Sequence, residues 1–358
     1  MKLPEFASDF AARARTAIRR EASHMVVFFY YTWRLKNADL CDKSGPIGQE
    51  GRMHNGQFTR TGFISIMAIL AFTLGGCEGE RAASEAAEKE AARANVDAMS
   101  REHASDTTEP SPAADIAPAT PVVSQTMAYT EYRDELVYGY FSSPADMFEP
   151  LPAVIMIHEW WGLNDNIRSM ADRLAGEGYI VFAVDLYAGK VASTPEEARA
   201  LMIAAVEDPD SANNNIRAAY EFVSKTAGAP RIGSLGWCFG GGWSLNTAKL
   251  FPDELDASVI YYGQVTDNEE VLRPIGTPIL GLFAADDAGI KVASVEAFRD
   301  SLQRLRKNHE IHIYPGVGHA FANPTGRNYN AAAAEDAWRR TLEFLHLHLS
   351  IDDSTSSL

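Results

Sequence analysis

The chain has 358 residues and a net charge of −16, which is enough sequence for a sizeable core. No basic cluster offsets this charge, so nucleic acid and anionic membrane surfaces are excluded as partners bound through charge. Its three cysteines, Cys41, Cys77 and Cys238, lie in three different regions, so no disulfide framework is predicted. Cys238 is the one in the apolar part of the chain. It is either a buried small side chain or a reactive thiol.

Residues 53–76 have the pattern of a bacterial signal peptide. A short polar start is followed by the uncharged apolar run Gly62–Leu74, which is too short to span a membrane. The sequence Leu74-Gly75-Gly76-Cys77 resembles a lipoprotein box, in which cleavage precedes a cysteine that becomes lipidated. An ordinary helix ending at the glycines is the alternative. We expect a lipoprotein anchored through Cys77 to the bacterial cell envelope and facing the periplasm, or a cytoplasmic protein if the signal is not used.

Two segments flank this signal. Residues 1–52 are interpreted as an upstream extension, or as the product of a start assigned too early, with Met53 as the true first residue. Residues 77–126 are rich in Ala, Glu, Pro and Thr and have almost no large apolar side chains. Such a composition predicts a disordered or transiently helical acidic tether.

Residues 127–350 have the pattern of a folded α/β domain, followed by a tail at 351–358. A hairpin over Tyr129–Phe141 is predicted first. Continuous apolar runs then predict buried strands at Leu151–His158, Tyr179–Asp185, Arg231–Leu235, Ala257–Gly263, Pro278–Ala285 and His309–Tyr314. Helical spacing separates these runs and ends with Ala331–Leu349. The alternation predicts the α/β-hydrolase type of architecture, a doubly wound, mostly parallel sheet flanked by helices, with functional residues at the carboxyl ends of the strands.

The sequence Gly236-Trp237-Cys238-Phe239-Gly240 joins one predicted strand to a helix. This is the pattern of the nucleophile elbow of α/β-hydrolases, with cysteine in place of the usual serine. A thiol at a helix N-terminus has its thiolate favoured by the helix dipole and by free N–H groups.

Two later loops carry an acid and a base. Asp286 and Asp287 follow one predicted strand, and His319 follows the last. The chain order nucleophile, acid, histidine is that of α/β-hydrolases. A thiol nucleophile needs a base for its proton, and the base needs a carboxylate to orient it. From the residues alone, either aspartate fits.

Four motifs together resemble the dienelactone hydrolase family. They are His158–Leu163, Gly236–Gly241, Asp287–Ile290 and Gly318–Pro324, and the resemblance covers about Tyr129 to Leu349. It implies a catalytic triad of Cys238, Asp287 and His319. It also implies a carboxylic-ester hydrolase of the carboxymethylenebutenolidase type, which hydrolyses a small ester or lactone through an acyl-cysteine, with no cofactor and no metal.

The same resemblance implies further roles. Glu159 would take the proton of Cys238, held as a thiol at rest, when substrate arrives; bracing its loop is the alternative. The backbone N–H groups of Trp160 and Phe239 would form the oxyanion hole, and Trp161 is a candidate substrate contact.

The resemblance has one clear departure. Where the family has an arginine four residues after the catalytic histidine, this chain has Asn323, which is also a candidate substrate contact. The family's second carboxylate-binding arginine has no certain counterpart, and Arg199 is only a nearby candidate. The hydrolase class therefore carries over, and dienelactone as the substrate does not.

Two other functions are compatible with the sequence. One is a thioesterase or deacylase of the same fold, and the other is a non-catalytic binding lipoprotein. His346 and His348 are interpreted as surface residues rather than metal ligands. The expected partner is a small-molecule ester or lactone, and the oligomeric state is left open.

Overall fold

The computed structural model describes residues 89–90, 92–104, 116–132, 135–146 and 149–351, all within one compact unit, Leu74–Leu358. The strands are β1 (Val122–Tyr132), β2 (Glu135–Pro144), β3 (Ala153–Ile157), β4 (Ile180–Val184), β5 (Ile232–Trp237), β6 (Ala257–Tyr261), β7 (Ile279–Ala284) and β8 (His309–Tyr314). The helices are α1 (residues 92–102), α2 (Asp165–Ala175), α3 (Pro195–Glu207), α4 (Pro209–Glu221, continued by a π-helical turn, Phe222–Thr226), α5 (Phe239–Leu250), α6 (Glu269–Leu272), α7 (Val292–Arg304) and α8 (Ala331–Leu349).

The described strands form one sheet in the order β1-β2-β4-β3-β5-β6-β7-β8. Strand β2 pairs antiparallel with β1 and β4, and every other neighbouring pair is parallel. All residues of β3 to β7 are buried, as expected for strands covered by helices on both faces. The predicted α/β fold is confirmed. The carboxyl ends of its parallel strands meet at one edge of the sheet, where they bring the functional loops together.

The structure differs from the predicted tether in two places. Residues 92–102 form helix α1, and β1 begins at Val122, so residues 92–104 and 122–126 are ordered parts of the fold. The reason lies in the spacing of a few side chains. Val96, Met99 and His103 follow one another at three- and four-residue intervals, so they share one face of a helix, and all three are buried. The average composition of the segment hides this narrow stripe.

Several predicted features lie outside the described residues. They are the extension at 1–52, the signal peptide at 53–76, the lipidation site Cys77 and the tail beyond Ile351. In the part of the chain that the structure describes, no helix is both long and apolar enough to cross a membrane.

Candidate active site

Cys238 lies at the sharp turn between β5 and α5. Its backbone has φ 55° and ψ −115°, a conformation that costs energy for any residue with a side chain. The Cys238 N–H donates to the carbonyl of Tyr261 at 2.9 Å, which ties the turn to the end of β6. Strained backbone that its surroundings hold in place is typical of a nucleophile elbow.

Two glycines allow this turn to form. A Cβ atom on Gly236 would lie 2.1 Å from the carbonyl oxygen of Gly240. A Cβ atom on Gly240 would lie 2.2 Å from the carbonyl oxygen of Ile157 on β3. Real Cβ atoms do not approach oxygen so closely, so the elbow requires glycine on both sides of Cys238.

The structure brings Cys238, His319 and Asp287 together. His319 Nδ1 donates to Asp287 Oδ2 at 2.7 Å, and a ring nitrogen of His319 lies within 4.8 Å of the Cys238 sulfur. The other Asp287 oxygen accepts N–H groups from Gly289 at 2.8 Å and Ile290 at 2.7 Å. These bonds fix the carboxylate, and the carboxylate fixes the tautomer of His319. Of the two neighbouring aspartates, it is therefore Asp287 that orients the histidine.

Cys238, His319 and Asp287 change one another's pKa values. Burial raises the pKa of the Cys238 thiol, but His319 and His103 outweigh this and lower it to about 6. Burial lowers the pKa of His319, and the neighbouring Cys238 and Asp287 raise it well above its usual range. Burial also raises the pKa of Asp287, while its hydrogen bond to His319 brings it below the usual value. The pair is thus stabilised as thiolate and imidazolium, which differs from the protonated resting thiol that the sequence suggested.

Glu159 lies on the loop after β3 and is buried. Asn323 donates to its Oε2 at 2.9 Å, and Asn166 donates to its Oε1 at 3.3 Å. Asn323, a candidate substrate contact in the sequence, is therefore a hydrogen-bond partner of Glu159. Its own amide oxygen accepts from Thr325. Arg199, the other candidate for substrate binding, pairs with Asp97 of α1.

The candidate oxyanion donors lie on two loops, one after β3 and one at the start of α5. Phe239 is the first residue of α5, where backbone N–H groups have no partner within the helix. Trp160 follows Glu159 on the loop after β3, and its ring packs against the ring of Trp161 at 4.6 Å. Trp161 is 1% exposed and part of the core.

Helix α1 covers Cys238, a contact that the sequence analysis did not predict. The sulfur of Met99 lies 2.9 Å from the sulfur of Cys238, and His103 Nε2 lies 4.0 Å from the same atom. The His103 ring packs on Trp160 at 4.6 Å and edge-on against His319 at 5.1 Å. The sequence carried one signal for this contact, because Met99 and His103 are four residues apart and therefore lie on the same face of a helix.

A small cavity lies between α1 and His319. The cavity lined by Met99, Glu102, Gln264 and His319 has a volume of about 10 Å³. That volume is about enough for one water molecule. The larger cavity, about 310 Å³, is lined by Arg173, Trp237, Tyr329 and Trp338 among others and by none of the triad residues. While α1 is in place, the Met99 sulfur therefore occupies space beside Cys238 that a substrate carbonyl would need.

Two groups of described side chains are close enough to hold a metal ion. They are His103, Cys238 and His319, and Glu102, Asp287 and His319. The expected absence of metal and cofactor stays a prediction. His346 bonds Ser350, and His348 packs on Phe344, as surface residues do.

A cysteine at a strained strand-to-helix turn, with a carboxylate-bound histidine on another loop at the same sheet edge, has the arrangement typical of an α/β-hydrolase. The model of the dienelactone hydrolase family matches residues 137–349. A protein of Saccharolobus solfataricus assigned as a carboxymethylenebutenolidase is 36% identical over 240 residues, which cover 55% of this chain and 89% of the relative. A protein of Escherichia coli K12 with the same assignment is 33% identical over 221 residues, which cover 58% of this chain and 80% of the relative.

The solved structures include a protein of Klebsiella pneumoniae assigned as a dienelactone hydrolase. It aligns with a TM-score of 0.55 at 26% identity and covers 63% of this chain and 98% of its own. The family model matches more than half of the chain. This protein therefore belongs to the dienelactone hydrolase family and is a carboxylic-ester hydrolase.

Proposed function

We propose that the protein hydrolyses a small, uncharged carboxylic ester or lactone through an acyl-cysteine on Cys238. The observation that carries this proposal is the position of Cys238, at a strained elbow beside a histidine that Asp287 holds at 2.7 Å. Asn323 lies at the position where the family has an arginine, and its side-chain amide donates a hydrogen bond to Glu159. This contact favours an uncharged substrate over an anionic lactone.

The proposed reaction has two halves. The Cys238 sulfur attacks the carbonyl carbon, and the N–H groups of Trp160 and Phe239 bind the oxygen as its negative charge develops. His319 gives a proton to the departing alkoxide, which leaves as the alcohol. His319 then takes a proton from water, and the resulting hydroxide attacks the acyl-cysteine. The acid leaves, and Cys238 recovers its thiolate while Asp287 keeps the ring oriented.

The proposed role of Glu159 concerns the state in which α1 has moved. Two of the influences that lower the pKa of Cys238 come from His103, and they are lost when α1 leaves. A thiol in that open site needs a group that accepts its proton before attack and returns it to the sulfur when the acid has left. We place Glu159 in this role beside His319, and bracing of the loop by its bonds to Asn323 and Asn166 remains the alternative.

Hydrolysis of 4-nitrophenyl acetate by the full chain tests this function. Release of nitrophenolate that disappears in Cys238→Ala supports the proposal. A protein that binds the ester without turning it over would be the non-catalytic binding lipoprotein instead. A matched pair of oxygen and sulfur esters of one acyl group identifies the thioesterase alternative, which predicts a higher kcat/KM for the thioester.

The pH profile of kcat/KM should reflect the thiolate of Cys238. The pKa of this thiol is lowered to about 6, so the nucleophile is present above that pH and is lost by protonation below it. If the preformed thiolate attacks, kcat/KM should fall about tenfold per pH unit below this value, because kcat/KM reports ionisations of the free enzyme; activation of the thiol by Glu159 predicts no such fall. In His103→Ala the midpoint should move to higher pH, because His103 contributes to the lowered pKa. The same midpoint in both proteins would contradict this assignment.

We also propose that the protein is a lipoprotein anchored in the bacterial cell envelope through Cys77, which lies outside the described residues. The support is the Leu74-Gly75-Gly76-Cys77 sequence after an apolar run. Expressed from Met53 in a bacterium, the protein should partition into detergent and carry lipid on Cys77. Export of Cys77→Ala as a soluble protein at full yield, with processing unchanged, would contradict the anchor.

A further inference from the structure

Helix α1 packs against the catalytic edge of the sheet through a short apolar face. Val96 is 2% exposed, Met99 is 6% exposed and His103 is 2% exposed. In contrast, Arg93 and Ala94 of the same helix are exposed. The buried face holds the two residues that touch the Cys238 sulfur or approach it.

Met99 lies where the chemistry must happen. For attack, a carbonyl carbon has to come to ~3–3.5 Å from the nucleophilic sulfur. The Met99 sulfur is already at 2.9 Å from that atom, and the cavity that Met99 lines together with His319 is only about 10 Å³. The His103 ring lies over Trp160, which carries a candidate oxyanion donor, and against His319. The helix therefore fills the space at the Cys238 sulfur and packs against both Trp160 and His319.

Polar contacts at the rim set the position of α1. Asp97 pairs with Arg199, and Arg93 pairs with Glu207, both of α3. The Glu102 carboxylate accepts N–H groups from the loop that carries Asp287, at Ala288 (2.8 Å) and Gly289 (3.1 Å).

These contacts are weak enough for α1 to undock from the rest of the domain. Exposed ion pairs contribute little, and isolated helices shorter than ~12–15 residues are marginal in water without packing. The docked position thus depends on a small apolar face and a few polar contacts. Such an arrangement can open on the timescale of local unfolding without loss of the fold.

We propose that α1 is a built-in, reversible inhibitor, in which Met99 occupies the place of the substrate carbonyl and hydrolysis requires α1 to leave. The effect on turnover rests on the proposed function, whereas the covering of Cys238 does not. A docked α1 and a substrate exclude each other, so α1 acts as a competitive inhibitor within the chain. It raises KM and leaves kcat unchanged once the site is saturated. It also shields a nucleophile that would otherwise be open to oxidation.

Val96→Asp tests this with Ala94→Asp as its matched control. Both variants add one carboxylate to α1, but position 96 is buried against the domain and position 94 is exposed. A charge at position 96 would be buried without a partner, which disfavours docking. We expect Val96→Asp to increase the rate of Cys238 alkylation by iodoacetamide by about tenfold or more. Mass mapping of the peptide that contains Cys238 separates this signal from other thiols. KM for 4-nitrophenyl acetate should fall by a similar factor with kcat unchanged, and Ala94→Asp should match the unmodified chain.

A charge exchange tests the position of α1 independently of its apolar face. Asp97→Lys places a positive side chain beside Arg199 and should speed alkylation of Cys238. Adding Arg199→Glu restores an opposite-charge pair with its direction reversed, and should return alkylation towards the starting rate. This pair of variants keeps every buried residue of the site, so loss of fold cannot produce the expected pattern.

The outcomes separate the inference from the function. Faster alkylation in Val96→Asp and Asp97→Lys supports the inhibitor helix even if none of the proteins hydrolyses an ester, in which case only the proposed function fails. Equal alkylation rates in Val96→Asp and Ala94→Asp, together with no rescue in the charge exchange, would overturn the inhibitor helix. Faster alkylation with lower kcat and unchanged KM would show that α1 assists turnover, and would overturn it as well.

Discussion

Cys238→Ala should lower kcat/KM for 4-nitrophenyl acetate by about 10⁴- to 10⁶-fold, the usual consequence of removing the nucleophile of a catalytic triad. The sulfur is the only atom of this side chain that can form the acyl intermediate, and His319 lies within 4.8 Å of it. Alanine should be tolerated in the fold, because the elbow is held by the Cys238 N–H bond to Tyr261 and by its flanking glycines. Steady-state rates measured over a substrate series give the size of the loss.

Cys238→Ser serves as the closer comparison for this change. A serine hydroxyl has a far higher pKa than a thiol, so His319 cannot hold it ionised at neutral pH. We expect low but measurable activity in Cys238→Ser, above that of Cys238→Ala. If Cys238→Ala keeps more than about a tenth of the original kcat/KM, a different residue is the nucleophile and the proposed mechanism fails.

Glu159→Gln should slow formation of the acyl-enzyme by about 10²- to 10⁴-fold, the usual contribution of a positioned base. The amide of glutamine has the size of the carboxyl group but cannot accept a proton at neutral pH. Single-turnover measurements with enzyme in excess isolate this step, because they do not depend on the later hydrolysis of the acyl-cysteine.

Asn166→Ala is the control that distinguishes Glu159 as a general base from Glu159 as a structural contact of its loop. Asn166 donates to Glu159 at 3.3 Å, so its removal loosens the loop contact but leaves the carboxylate in place. If Glu159 is the base, Asn166→Ala should acylate at close to the normal rate. An unchanged acylation burst in Glu159→Gln would remove Glu159 from the chemistry and leave His319 as the acceptor of the thiol proton.

The sheet could be predicted from the sequence because each central strand is a continuous apolar run. The runs over β3, β4 and β7 are buried along their whole length, and helical spacing separates them, so a parallel, doubly covered sheet was the consistent solution. The candidate triad could be placed for the same reason. Its members follow strands whose carboxyl ends share one edge of that sheet.

Contacts between distant residues could not be predicted in this way. The bond between Asn323 and Glu159 joins side chains 164 positions apart and reassigns Asn323 from substrate contact to partner of Glu159. Helix α1 was hidden for a related reason. Among its described residues the buried face consists of Val96, Met99 and His103, within an acidic, alanine-rich segment. Its stability comes from docking on the domain rather than from propensity. The protonation of Cys238 could not be predicted either, because its lowered pKa depends on His319 and, to a smaller extent, on His103 of that helix.

The most direct test of the central claim is the mass of His319→Ala after it has been mixed with an ester. Without His319 no group activates the deacylating water, so the acyl-enzyme should accumulate. The account predicts an intact-protein mass increased by one acyl group, with the addition mapped to the peptide that contains Cys238 and absent from the double variant Cys238→Ala/His319→Ala. An acyl group found on any other residue, or no addition at all while the ester is still hydrolysed, would contradict the account.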